Sequence, residues 1–213
     1  MTDFVSKSGW KKISNVLTAN ECMDLISSFE GNRTENNKVY ELSSKEWRLP
    51  KVANCIRRFR EEISLETTYR NVELSKIWYV STTFENSEPG KLPYIPHFDK
   101  RRFVKLMVYL TDVTGEDGPF TTADHDVSVY EDQRMCLPED YKELGLNSKL
   151  HDHNFQEILA TAGDGIIFDT NCAHYAKPVG ENGRRHVLRF DFEDYDWNKH
   201  QHSLGARFLR LFK

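Results

Sequence analysis

FVKLMVYL at residues 103–110 and RHVLRFDF at residues 185–192 decide the fold. Successive side chains of an extended chain point to opposite faces. In the first segment Val104, Leu106, Val108 and Leu110 share one face, and Phe103, Lys105, Met107 and Tyr109 share the other. In the second, His186, Leu188, Phe190 and Phe192 oppose Arg185, Val187, Arg189 and Asp191. Each segment reads as a strand with one apolar face for packing and a second face carrying cations. A polar strand face ordinarily meets solvent, which antiparallel sheets permit. Here both segments follow a histidine with the company of a metal ligand, so their polar faces are expected to line a cavity inside a barrel.

The surrounding chain agrees. From Glu73 onward, β-branched and aromatic runs such as KIWYVSTTF (76–84) and GDGIIFD (163–169) are separated by the turn clusters ENSEPGK, TGEDGP and GENGR. Short strands with frequent turns predict a sandwich or barrel. Upstream, Trp10–Val16 reads as a short strand, and Thr18 caps a helix with Cys22, Leu25, Ile26 and Phe29 at apolar spacing. A second helix opens at Pro50 and places Val52, Ile56, Phe59 and Ile63 on one face. The expectation is one domain over residues 1–213: a helical buttress (1–72), a β-barrel core (73–195) with an insertion or lid at 131–154, and a C-terminal helix (196–213). The fold class is mainly β.

Composition excludes several functions. A net charge of −4 argues against a general binder of nucleic acid or anionic membranes. The cysteines Cys22, Cys55, Cys136 and Cys172 form no C-x-x-C pair, which suits buried thiols in a reducing compartment. No apolar run approaches the roughly 20 residues of a bilayer span, and the N-terminal stretch lacks the pattern of a targeting segment. A cytoplasmic protein is expected, with no membrane partner; nothing in the pattern sets an oligomeric state.

His97-Phe98-Asp99 and His174, 75 residues beyond Asp99, are the candidate metal ligands. His97 and Asp99 are two apart and project the same way from extended chain. Two histidines and one carboxylate form the facial set that holds Fe(II) with open positions. With eight histidines and 33 acids in the chain, about one His-x-Asp/Glu arises by chance, so the motif alone is weak. Zinc takes the same ligand types. What favours iron is Arg185, beyond the second histidine, which suits the far carboxylate of a keto acid. Parity prefers Arg185 to Arg184, because Arg185 shares a face with Arg189; a bulge in the GENG turn would invert that choice. Neutral histidines bind metal, so affinity is expected to fall as pH drops through their titration.

The run HFD…VYLTDVTGEDGPF…GDGIIFDTNCAHYAKPVGENGRR resembles the Fe(II)/2-oxoglutarate-dependent dioxygenases, most closely the phytanoyl-CoA dioxygenase-like branch, over roughly residues 75–192. The resemblance implies a double-stranded β-helix, a jelly-roll or cupin-like barrel buttressed by N-terminal helices. It implies His97, Asp99 and His174 as iron ligands and Arg185 as the partner of the 2-oxoglutarate C5 carboxylate, with Tyr109 and Lys105 assisting cosubstrate binding. Fe(II), 2-oxoglutarate and O2 would then serve the hydroxylation of an unactivated C–H bond, with release of succinate and CO2.

For the substrate, Arg189 on the cavity face and Arg101 and Arg102 directly after the triad point to a small anionic molecule. Two rival readings stand beside it. One is a non-catalytic cupin-like module that binds metal or ligand. The other is a hydroxylase of protein or nucleic acid, with nucleic acid disfavoured by overall acidity and the lack of an aromatic–basic surface pattern.

Overall fold

The computed structural model describes residues 5–32, 39–99, 101–123, 154–194 and 196–197. The expected lid (131–154, apart from Asn154) and nearly all of the expected C-terminal helix lie outside them.

Two antiparallel sheets form a jelly-roll sandwich. The larger is built from β1 (Trp10–Ile13), β2 (Val39–Glu41), β3 (Glu73–Thr83), β4 (Val104–Tyr109), β7 (Gly165–Asp169) and β9 (Arg184–Glu193), in the order β1-β7-β4-β9-β3-β2. The smaller has three three-residue strands, β5 (Phe120–Thr122), β6 (Gln156–Ile158) and β8 (His174–Ala176), in the order β6-β5-β8. The alternation read from the sequence sorts the larger sheet into two faces. Val104, Leu106, Val108, Leu188, Phe190 and Phe192 are buried in the main core. The opposite face of β4 and β9 turns to the cavity between the sheets.

Helices close the outer face. After the single turn α1 (Val5–Ser8), Thr18 begins α2 (Ala19–Glu30) with a reciprocal capping box, its backbone N–H donating to Glu21 and its hydroxyl accepting from the Glu21 N–H. α3 (Pro50–Ile63) starts on proline and buries Val52, Cys55, Phe59 and Ile63. Phe59 stacks on Phe192 with ring centres 3.8 Å apart, adding an aromatic contact to the area it removes from water. The region expected as a helical buttress does more than buttress. β1 pairs with β7 and β2 with β3, so it supplies both edge strands. β2 escaped the sequence reading because three residues carry no legible period.

One glycine fixes the route into the sheet. Gly163 has φ +94°; its carbonyl accepts from Val16 and Leu17, and its N–H donates to Tyr109. A Cβ there would lie 2.0 Å from the Leu17 carbonyl oxygen. Gly163→Ala is therefore expected to cost about 2–3 kcal/mol of stability, from the positive φ and the backbone clash together. Urea unfolding midpoints that coincide with wild type would contradict this.

Candidate active site

His97 lies outside any regular strand. It forms an isolated antiparallel bridge to His174, the first residue of β8. The two residues exchange both backbone hydrogen bonds, His97 N–H to His174 C=O at 3.0 Å and the reverse at 2.8 Å. Direct opposition sets their side chains side by side, with ring centres 4.5 Å apart. The Asp99 N–H donates to the Thr170 carbonyl at 3.1 Å, which docks the second half of the motif against the segment leading to His174. One ligand atom from each of His97, Asp99 and His174 lies within 4.8 Å of the others.

The imidazole orientations are fixed from behind. His97 Nδ1 is 2.7 Å from the Ile95 carbonyl and His174 Nδ1 is 2.7 Å from the Cys172 carbonyl. A carbonyl only accepts, so each Nδ1 carries the proton and each Nε2 keeps its lone pair. Both Nε2 atoms face Asp99 Oδ1, at 3.6 and 3.9 Å. Two neutral nitrogens and a carboxylate oxygen converging on one point, with their outer hydrogen bonds already made, fit a divalent transition metal.

Electrostatics favour the same state. Burial alone would raise the Asp99 carboxyl, but Lys105, then His174 and His97, hold it well below the usual carboxylate range. Burial, reinforced by His97, pushes His174 down to about 3. The imidazole is thus already neutral where an ordinary histidine, near 6.5, begins to protonate. The expected acid loss of metal affinity is therefore displaced downward for His174. Because the unfolded chain takes up this proton near 6.5, the group's contribution to stability is present above that value and is lost as pH falls toward about 3. In the metal-free protein, NMR shifts of the His174 ring are expected to stay constant from about pH 8 to 5. A midpoint near 6.5 would contradict this environment.

The triad opens into a cavity of about 560 Å³ lined by the predicted faces of β4 and β9. Among the described residues, four cations stand on its wall: Arg101, Lys105, Arg185 and Arg189. Three are held by acids. Lys105 Nζ is 2.6 Å from Asp99 Oδ2, so its ammonium is engaged by the triad carboxylate. Arg189 pairs with Asp191, Nη2 to Oδ2 at 3.1 Å, above the Trp78 ring. Arg101 pairs with Glu193 through Nε at 2.9 Å. Arg185 differs. It is 7 % exposed, and no carboxylate among the described residues lies within ion-pair distance of it. Burial lowers its pKa, which Tyr109, Tyr94 and the more distant Asp117 partly offset, yet a guanidinium stays charged in proteins. A buried cation with no ion-paired acid is costly, and a ligand carboxylate would relieve that cost. Tyr109, whose hydroxyl accepts from the Phe120 N–H at 3.0 Å, lies on the same cavity wall and keeps its own O–H to donate.

Register settles which arginine enters. β3 and β9 pair without a shift from Thr83↔Arg184 and Thr82↔Arg185 up to Lys76↔Asp191, the irregularity lying beyond, between Leu74 and Lys76. Arg184 is exposed. One expectation is corrected. Arg102 is not on the cavity: it is 8 % exposed and paired with the fully buried Asp169, Nη2 to Oδ2 at 2.8 Å. Tyr94 was missed by sequence reading, because it stands in the irregular YIPHFD segment where parity gives no facing.

The profile of the phytanoyl-CoA dioxygenase (PhyH) family matches residues 21–187. The chain belongs to the phytanoyl-CoA dioxygenase family. It is thereby a member of the Fe(II)/2-oxoglutarate-dependent oxygenases. No curated protein matches it. Among solved structures, it is similar to the viral collagen prolyl hydroxylase vCPH of Paramecium Bursaria Chlorella virus-1, at 15% identity and TM-score 0.61 over 90% of this chain and 92% of that one. HygX from Streptomyces hygroscopicus, with nickel and 2-oxoglutarate bound, is 14% identical at TM-score 0.59 over 89% and 84%. EvdO2 from Micromonospora carbonacea var. aurantiaca, complexed with 2-oxoglutarate, is 12% identical at TM-score 0.60 over 90% and 88%. At such identities the likeness shows the jelly-roll fold that the family shares. Among the described residues, no helix is long and apolar enough to cross a membrane.

Proposed function

We propose that this phytanoyl-CoA dioxygenase family member hydroxylates an unactivated C–H bond of a small molecule bearing an anionic group, with 2-oxoglutarate as cosubstrate. The observation that carries the reading is the pairing, in one cavity, of the His97–Asp99–His174 triad with a buried Arg185 that has no acid partner among the described residues. His97, Asp99 and His174 would hold Fe(II), and Arg185 would hold the cosubstrate's far carboxylate. When bound, iron and 2-oxoglutarate supply the oxidation, with the cosubstrate leaving as succinate and CO2.

The chain's own residues do the rest. Asp99 contributes one negative charge, and the Lys105 ammonium on Oδ2 turns Oδ1 toward the two Nε2 atoms. Arg185 and Tyr109 orient the cosubstrate by charge-assisted hydrogen bonds. Phe168, Phe103, Met107 and Val187 furnish apolar walls that exclude water from the reacting atoms. Arg101 and Arg189, each held by its own acid, stay on the wall to receive a polar or anionic substituent. A cavity of about 560 Å³ is the size of a small-molecule site. The test is aerobic incubation with Fe(II), 2-oxoglutarate and a panel of carboxylated and phosphorylated metabolites. Substrate-dependent succinate with a product heavier by one oxygen supports the reading. Turnover only with a peptide or nucleic acid would instead support a macromolecular hydroxylase, and metal binding with no 2-oxoglutarate binding a cupin-like module.

A further inference from the structure

Beneath the triad, outside the cavity, the two ligand-bearing segments meet over one buried ion pair. Asp169 ends β7 five residues before His174, and Arg102 follows Asp99 by three. Arg102 reaches Asp169 through Nε, at 3.3 and 3.1 Å from the two carboxylate oxygens, and through Nη2 at 2.8 Å. Trp197 covers the guanidinium at 4.3 Å. The Tyr69 hydroxyl and the Asn171 N–H also donate to Asp169, at 3.2 and 2.9 Å. Around the pair the backbones interlock. Thr170 N–H donates to the Phe103 carbonyl at 2.9 Å, and the Phe103 N–H donates to the Thr170 hydroxyl at 2.8 Å. Cys172 N–H donates back to the Asp169 carbonyl at 2.9 Å, and the Cys172 carbonyl is the group that orients His174.

A buried ion pair is weak evidence of stabilisation, because well-packed apolar residues would serve as well. What it offers is fixed geometry, since a planar guanidinium gripping a carboxylate through two nitrogens permits little rotation. We infer that Arg102 and Asp169 are positioning residues for the metal site: they clamp the Asp99–Phe103 segment to the Asp169–His174 segment and so hold Asp99 and His174 in ligating register. The inference rests on the metal-site reading above. It assigns Arg102 a role behind the site in place of one at the substrate.

The experiment compares Mn(II) dissociation constants, measured by EPR on folded protein at low temperature, for wild type, Asp169→Asn, Arg102→Lys and Phe59→Leu. Asp169→Asn keeps a neutral acceptor of similar shape. Arg102→Lys keeps the charge without the two-point grip. Phe59→Leu damages the helix-packed core without touching the ion pair, as a stability control. The expected result is Mn(II) binding weakened about 10–100-fold in Asp169→Asn, the range seen when outer-shell partners of metal ligands are lost, with a smaller weakening in Arg102→Lys and an altered Mn(II) EPR line shape in both. Phe59→Leu lowers Tm and leaves the constant unchanged. Unchanged affinity and line shape in folded Asp169→Asn overturn the inference; should that variant not fold, the same result in Arg102→Lys does so. Wild-type protein that binds no Mn(II) overturns the metal-site reading itself, and the inference with it.

Discussion

His174→Ala is expected to abolish detectable Fe(II) binding, with a loss of at least about 1000-fold in affinity, well beyond the 10–100-fold typical of an outer-shell partner. The magnitude follows from the geometry. His174 supplies one of three converging donors, its Nε2 3.9 Å from Asp99 Oδ1, and its backbone exchanges hydrogen bonds with His97. Alanine preserves that bridge, because only main-chain atoms form it, so the variant should fold and simply lack a ligand. Among the described residues, the ligand-type side chains grouped at this point are His97, Asp99 and His174, so no further imidazole, thiol or carboxylate stands ready to replace the lost one. Anaerobic Fe(II) titration with a competing chelator measures the effect. A folded His174→Ala protein with affinity within about tenfold of wild type would show that the metal sits elsewhere.

The second large effect belongs to neighbouring arginines that the sequence alone separates only by parity. Arg185→Ala is expected to weaken 2-oxoglutarate binding about 100-fold or more, roughly 3 kcal/mol, the scale of a buried charge pair losing one partner. Metal affinity should be preserved, because Arg185 contacts no triad residue among the interactions described. Arg184→Ala should leave both within about twofold. Arg184 is exposed, and its backbone N–H, which the substitution retains, donates to Asp117 at 3.1 Å. Calorimetric titration of 2-oxoglutarate into the metal-loaded variants distinguishes the two. Weakening by Arg184→Ala instead would mean that the β9 register differs in solution.

The faces of β4 and β9 were legible because those strands are long enough to show a period of two and because one face had to be apolar against the helices. Phe103, Lys105, Met107, Arg185, Val187 and Arg189 all line the cavity as alternation requires. The helix starts at Thr18 and Pro50 were equally legible from local chemistry. Where periodicity ends, the facing of a side chain is no longer legible from sequence. Lys100, Arg101 and Arg102 form a charge run, and sequence gives no rule for which one points inward. The structure sends Arg102 to Asp169 and Arg101 to Glu193, partners 67 and 92 residues away. Lys105 stands on the face that alternation assigns to it, but its engagement with Asp99 is a contact that alternation does not specify. His97 and Asp99 share a side of the chain without a regular strand, held by one isolated bridge and one bond to Thr170. Such contacts are set by long-range packing and leave no local pattern.

Anaerobic titration of the purified protein with Fe(II) and 2-oxoglutarate, watched for the weak visible charge-transfer band of a keto acid chelated to iron, tests the proposed site most directly. The band is expected to appear in wild type, to be absent in Asp99→Ala, and to need far more 2-oxoglutarate to saturate in Arg185→Ala. Iron binding without any band at saturating 2-oxoglutarate would contradict the proposed site, leaving the cavity a metal site of another kind.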